Sequence, residues 1–474
     1  MTTESDSVPL LQRAREAYDA KRYAEASQLI RRLIAENPAH IQASGILGHC
    51  HLRLGNRGAG AREFVKHAQV RPGDPIAHFW RGASDYAEDN VASALQHTRR
   101  ALALDPALSS AAHNLANMVA RGGASLGTVR AYEQARILGH DSDGFALDFG
   151  RLLLALGRWE EGWPLYERRL HTRRFALAPT RHDPPLWDGS PQPEATCLIW
   201  NEANVGDEIQ FAQLLTEAQS LFRHIIFECD PRLETLFRRS FPRVEVVART
   251  DRPEFSITPD VQCTSSALAM HLRRKDEDFK DQGIYLKADP TRVERYRTRW
   301  RDRFGERPII GISWRSANMR FTSKTAALPL WQDVLKCQDA VILSLQYGEI
   351  DSDLASLQAS TGQGVETDPE IDPLNDLDGF AAQLMAVDLV ISISNSTVHQ
   401  ASALGRPAWC LLSRIPDWRW MASGDLCPWY PRLRLYRQDE RREWAPVLAQ
   451  VAHDLTPAIE RWQTSGSFEG RLLA

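Results

Sequence analysis

The chain has 474 residues, 43% hydrophobic and 25% charged, enough for two to four globular cores and a balance that excludes large-scale disorder. A net charge of −4 argues against a general nucleic-acid binder. Seven scattered cysteines without a CxxC pair or zinc-like spacing suit a reduced compartment; with no basic-then-apolar leader and no apolar run of about 18 residues, the expectation is a cytoplasmic protein without a membrane span.

The first third repeats. Pro38, Pro72 and Pro106 recur every 34 residues, and the same period aligns a column of small residues, Ala14, Gly48, Gly82, Ala116 and Gly150. Bulky Ile30, Phe64, Tyr132 and Tyr166 form a further column, interrupted by Thr98, and small Ala26, Gly60, Ala94 and Gly162 another, interrupted by Thr128. A 34-residue period of this kind is the signature of tetratricopeptide repeats. Small side chains let paired helices approach, the bulky residue fills the gap to the next pair, and proline ends the unit. Four repeats are expected from near Val8, Ile41, Ile76 and Leu108, then a helical pair around Phe145 to Leu170. That last pair departs from the pattern, with two tryptophans in Leu152 to Leu170, which suits a unit docking onto the next domain. Such an array binds a peptide or protein partner in its groove, or else serves as a spacer or dimerisation surface.

Phe175 to Pro193 turns proline-rich, polar and basic, which marks a linker. Strand patterns come next at Ala195–Trp200, His224–Glu228 and Val244–Ala248, alternating with helix patterns at Glu208–Leu221 and Pro231–Ser240. After a charged helical segment, Pro290 to Gly305, the alternation restarts. Strands are expected at Pro308–Trp314, Ala340–Gln346, Leu389–Ser394 and Pro407–Leu412, and helices at Leu330–Lys336, Asp351–Ala359, Leu377–Ala386 and Glu443–Leu455. Alternating strands and helices imply parallel sheets, and two in tandem leave a cleft at the strand C-terminal ends. Within Asp388 to Leu412, an apolar strand runs into Ser394, Asn395, Ser396 and Thr397, where capping residues and unpaired N–H groups can hold an anion or simply cap a helix.

A repeat array followed by VGDEIQFAQLL (Val205 to Leu215), DLVISISNSTVHQASALGRPAW (Asp388 to Trp409), PDWRW (Pro416 to Trp420), PWYP (Pro428 to Pro431) and RLYRQ (Arg434 to Gln438) resembles the bacterial repeat-linked glycosyltransferases of the GT-B fold. It is similar, more distantly, to heptosyltransferases and O-linked N-acetylglucosamine transferases. Across the whole chain the resemblance implies an α-helical tetratricopeptide array over 1–175, an acceptor-side Rossmann-like half over 176–290 and a donor-binding half over 291–474. It further implies an inverting protein O-glycosyltransferase that uses a nucleotide sugar as substrate and no other cofactor. The SNST turn and the segment at Trp314 resemble the enzymes that modify flagellin, which makes flagellin an expected acceptor. Two rivals stand beside this reading, a lipid-linked or polysaccharide glycan acceptor and a non-catalytic scaffold or secretion chaperone.

The resemblance assigns the catalytic base to Asp207, after Gly206, with Glu208 and Glu202 as neighbouring alternatives; an acidic residue at a helix start is also a common cap. It assigns donor phosphate to Asn395, Ser396, Thr397 and Val398 and matches His399 to a family histidine, which a buried helix position also explains. Many relatives carry Asp-Thr where this chain has Asn395-Ser396. Arg315, Arg320 and Lys324, in the loop after Trp314, are cations able to offset leaving-group charge or to sit on a solvated surface. Asp351-Ser352-Asp353 reads as a helix start rather than a metal motif, so no metal is expected. Trp418, Trp420, Trp429 and Tyr430 read as packing first and sugar stacking second, with Arg437 and Gln438 as further polar candidates.

Overall fold

The computed structural model describes residues 4–37, 41–171, 184–201, 204–250, 253–279, 283–316, 323–370 and 372–468. Two compact units divide at 149/150. Among the described residues the array is five helical pairs: α1 (Glu4–Asp19) and α2 (Tyr23–Glu36), α3 (Ile41–Arg53) and α4 (Arg57–Val70), α5 (Pro75–Ala87) and α6 (Val91–Leu104), α7 (Ser109–Ala120) and α8 (Leu126–Ile137), α9 (Asp143–Ala155) and α10 (Trp159–Glu167). The two repeat prolines within the described residues, Pro72 and Pro106, each come two positions after a second helix; Pro38 lies outside the described residues.

The sequence columns are the helix crossings. A Cβ on Gly48 would lie 2.8 Å from Phe64 Cε1, one on Gly60 2.9 Å from the Gly48 carbonyl oxygen, and one on Gly82 2.5 Å from Thr98 Oγ1. Gly48 and Gly82 therefore face the column sixteen positions later, Gly60 faces the Gly48 backbone, and at all three the space of a side chain is already occupied. Thr98 interrupts the bulky column without leaving the crossing; it is fully buried against Gly82.

The second unit holds the end of the helical stack and two parallel sheets. In chain order it continues as β1 (Gln192–Trp200), α11 (Val205–Ala212), α12 (Leu215–Ala218), β2 (Phe222–Cys229), α13 (Glu234–Ser240), β3 (Glu245–Ala248), β4 (Val261–Thr264), α14 (Ser265–Leu272) and α15 (Pro290–Phe304). Then come β5 (Ile309–Ser313), α16 (Gln332–Leu335), β6 (Val341–Ser344), α17 (Asp351–Thr361), α18 (Leu377–Ala386), β7 (Leu389–Ile393), α19 (Ser396–Ala403), β8 (Ala408–Leu412), β9 (Leu433–Arg437) and α20 (Ala445–Ser465). The sheet orders are β3-β2-β1-β4 and β6-β5-β7-β8-β9, every pair parallel. This is a tetratricopeptide array followed by the two Rossmann-like halves of a GT-B fold.

β5, β7 and β8 are buried at every position, as branched apolar runs covered on both faces must be. Three expectations change. The helix expected from Glu208 starts at Val205 and breaks at Gln213–Leu214; β4, α14 and β9 were not anticipated; and α20 runs ten residues past Leu455, through Pro457. Asp351-Ser352-Asp353 does open a helix, α17.

Candidate functional site

In the second sheet β5 is flanked by β6 and β7, so the chain leaves β5 in one direction and returns on the other. Ligands of doubly wound folds bind at such a switch point, beyond the strand C-terminal ends. A cleft of about 410 Å³ lies there, bounded by Asn204 to Asp207, Asp230 and Arg232 from the first half and by Lys324, Tyr347, Ser394 to Ser396, His399 and Arg419 from the second. It brings together Asp207, Lys324, Asn395, Ser396 and His399 of the residues expected from sequence.

Asp207 is the third residue of α11 and belongs to its cap. Its Oδ2 accepts from the Asn204 backbone N–H and from Asn204 Nδ2, each at 3.3 Å, while Oδ1 pairs with Arg419. Capping and cleft are thus both true of this carboxylate. Gly206 permits the close approach of α11 to α19: a Cβ there would lie 3.1 Å from His399 Cδ2. Glu208 points away into the first half, its Oε2 accepting from the Asp230 N–H at 2.7 Å and Oε1 pairing with Arg249. Burial pushes its carboxyl up to about 7, outweighing the Arg249 charge. Glu202 lies outside the described residues.

Asn395 caps α19. Its Oδ1 accepts from the Thr397 N–H (3.0 Å) and Ser392 Oγ (3.0 Å), and its Nδ2 donates to Ser313 Oγ (2.8 Å) and the Arg315 carbonyl (3.4 Å). The Thr397 and Val398 side chains are fully buried, so this turn offers the cleft its backbone N–H groups and Ser396 rather than those two side chains. His399 Nδ1 is 2.9 Å from Tyr430 Oη, and burial, with the Arg419 charge second, holds the imidazole well below its usual range, hence neutral.

The basic loop divides. Lys324 lines the cleft, whereas the Arg315 guanidinium turns to α17, its Nε donating to Asp353 Oδ2 at 2.7 Å and its Nη2 to the Glu349 carbonyl, and Arg315 is not among the cleft-lining side chains. Arg320 lies outside the described residues. Two further cations line the cleft that the residue pattern did not single out: Arg232, whose Nη1 donates to the Leu374 carbonyl at 2.9 Å across the two halves, and Arg419. Their signals were present, an arginine two positions past Asp230 at the end of β2 and the lone charge between the tryptophans of PDWRW.

The aromatic cluster is packing. Trp418, Trp420, Trp429 and Tyr430 are all buried, Trp418 meets Trp163 of α10 edge-on at 5.3 Å, and Trp420 Nε1 donates to Ser394 Oγ at 2.7 Å, bracing the turn before α19. Trp159 Nε1 donates to Asp276 and Trp163 Nε1 to the Arg273 carbonyl, both at 2.7 Å. The two tryptophans that distinguish the last helical pair thus dock it onto the first Rossmann-like half. Arg437 donates to the carbonyls of Trp420, Met421 and Gly424, and Gln438 bonds Arg414 and Arg442; both are structural. Among the described residues no helix is long and apolar enough to cross a membrane.

No family model matches the chain. Among solved structures, MamA aligns at 15% identity over 33% of this chain and 92% of its own, with a TM-score of 0.29. A tetratricopeptide repeat protein of Thermus thermophilus aligns at 18% identity over 36% and 94%, with a TM-score of 0.31. Protein FlbA of Caulobacter vibrioides is 30% identical over 426 residues, which cover 85% of this chain and 71% of FlbA. Residues 150–474 alone cannot supply that coverage, so the likeness runs through both the helical array and the paired sheets, and the chain belongs to the family of Protein FlbA.

Proposed function

We propose that the protein is a glycosyltransferase that moves a sugar from a nucleotide-activated donor to a serine or threonine of a protein acceptor, flagellin being the acceptor to try first, with the repeat array binding that acceptor. The observation that carries this reading is the meeting, in one cleft at the strand C-terminal ends, of a carboxylate on α11 with the N-terminus of α19 and the cations Lys324, Arg232 and Arg419. In the proposed reaction the acceptor oxygen attacks the anomeric carbon and passes its proton to Asp207, while the bond from that carbon to the nucleoside diphosphate breaks on the opposite face, inverting the centre. The leaving diphosphate then meets the N-terminus of α19 at Ser396 and the Lys324 ammonium, so fixed protein charges take the role a metal fills elsewhere. His399, neutral and lining the cleft, is a hydrogen-bond partner for the donor, and Arg315 acts through its carbonyl, which helps hold Asn395.

The test incubates purified full-length protein with acceptor and a panel of nucleotide sugars and follows the acceptor's intact mass. The wild type adds one sugar mass, and Asp207→Asn, which keeps the shape of the cap, loses transfer by about two to four orders of magnitude. Full activity in Asp207→Asn refutes the base assignment. A wild type whose melting temperature responds to no nucleotide or nucleotide sugar points instead to a scaffold.

A further inference from the structure

The proposed reaction leaves Arg419 without a task, although it lines the cleft. It sits in the short 3-10 turn Trp418–Trp420, held on both sides: Trp418 packs on Trp163 and Tyr166, and Trp420 donates to Ser394. The backbone is thereby fixed and the side chain is the adjustable part. Its guanidinium lies between two carboxylates, Nη2 on Asp207 Oδ1 and Nε 3.4 Å from Asp417 Oδ1, which has no hydrogen-bond partner among the described residues. Burial opposes its charge and the two carboxylates outweigh that, while burial pushes Asp417 up and the Arg419 and Lys324 charges outweigh it in turn. One cation therefore serves two acids, with the capped turn of α19 on the same cleft wall.

The arrangement conflicts with Asp207 acting as a base. Its Oδ2 already accepts two bonds from Asn204, which belong to the α11 cap, and its Oδ1 holds Arg419. Of these partners only the guanidinium is one that a phosphate competes for, because phosphate and carboxylate match the same N–H fork.

Resting on the reading of the cleft as a donor-diphosphate site, we propose that Arg419 is a switching and positioning residue shared between Asp207 and the diphosphate: the diphosphate draws the guanidinium off Asp207 Oδ1 toward the α19 N-terminus, and so opens that oxygen to the acceptor hydroxyl. The base is released only when donor is present, donor binds before acceptor, and Asp417 keeps a carboxylate beside the arginine in both positions.

The test is a double-mutant cycle on the full-length protein with inorganic pyrophosphate as the probe, read by calorimetric titration. Removing the competitor, Asp207→Asn tightens pyrophosphate binding about tenfold, the size of one charge-assisted hydrogen bond. In an Arg419→Gln background, where nothing is left to release, the same substitution changes binding less than about twofold. Arg419→Lys provides a charge-preserving second background in which the effect is smaller than in wild type but present. Equal tightening in every background means plain charge repulsion by Asp207 and overturns the switch, as does no tightening in the wild-type background. A wild type and an Asp207→Asn variant that both fail to bind pyrophosphate overturn the switch together with the donor-site reading, whereas binding without coupling overturns the switch alone.

Discussion

Replacing Gly150 with alanine isolates the close approach on which the helical pairs depend. A Cβ there would lie 2.6 Å from the Tyr166 nitrogen, 2.9 Å from the Gly162 oxygen and 3.0 Å from the Leu165 carbonyl carbon. All three are backbone atoms, so no rotamer change relieves the overlap and α9 and α10 have to part. Going from 2.6 Å to an ordinary contact of about 3.4 Å opens the crossing by about 0.8 Å. Overpacking of this kind costs about 1–3 kcal/mol, and rigid backbone on both sides puts this case at the upper end; exchanging glycine for alanine in a helix returns about 1 kcal/mol. The net expectation is a loss of about 2 kcal/mol. Gly144 on the same helix meets nothing within 4 Å, so Gly144→Ala keeps only the propensity gain and stabilises by up to about 1 kcal/mol. Urea unfolding followed by tryptophan fluorescence, to which Trp159 and Trp163 of α10 contribute among fourteen tryptophans, gives the midpoint, and amide exchange in α9 and α10 localises the change. A Gly150→Ala protein that unfolds at or above the wild-type midpoint refutes the argument that the small column exists to let helices touch.

Two other expectations rest on burial. His49 packs against the Trp80 and Phe64 rings, and burial, with Arg53 second, lowers its imidazole to about 4. The unfolded chain takes up a proton near pH 6.5 that the folded array refuses, so stability is full above that pH and falls as pH drops toward 4, by roughly 3 kcal/mol from this group. His49→Gln removes that contribution from the urea-midpoint profile, leaving the slope of the other imidazoles that shift the same way, His51, His97, His140, His271 and His399; an unchanged profile rejects the assignment. Trp163→Ala empties a fully buried site and removes the bond to the Arg273 carbonyl, an expected loss of about 3–5 kcal/mol, and because Trp418 rests on that ring the loss extends to pyrophosphate binding; a destabilised variant with unaltered binding means the helical pair does not brace the Arg419 turn.

The array was legible because its constraints are local and periodic: Gly48 facing Phe64, Gly82 facing Thr98 and Gly150 facing Tyr166 are one contact repeated at a fixed offset. The buried strands β5, β7 and β8 were legible as short apolar runs for the same reason. β4 was not, since its four residues include Gln262 and Thr264, both buried. Gln262 is satisfied by partners far away in sequence, accepting from Trp200 Nε1 at 2.9 Å and donating to the Pro184 carbonyl at 2.7 Å, so nothing within the segment announces that it enters a core. β9 mixes apolar and charged residues at the sheet edge, where Arg434 pairs with Asp454 of α20, and it reads as a surface segment until that helix is placed. Arg232 and Arg419 were obscured in the same manner: each is an ordinary charge until the sheet order puts its loop beside α19.

The turn at Asn395 shows how a residue pattern that departs from relatives acquires its meaning only from the partners the fold supplies. Aspartate in this place would retain the cap on Thr397 but has no proton to give. The amide of Asn395 donates to Ser313 Oγ and to the Arg315 carbonyl, both beyond or at the end of β5, while its oxygen accepts from Ser392 on β7. It therefore ties together the ends of the two strands that diverge at the switch point, and a carboxylate there would turn a lone pair toward the Arg315 carbonyl instead. The same amide leaves the mouth of α19 without a negative charge. An anion approaching Ser396 meets helix N–H groups, Lys324 and the guanidinium of Arg419, and the acids beside that guanidinium, Asp207 and Asp417, are ones that the arginine already pairs with.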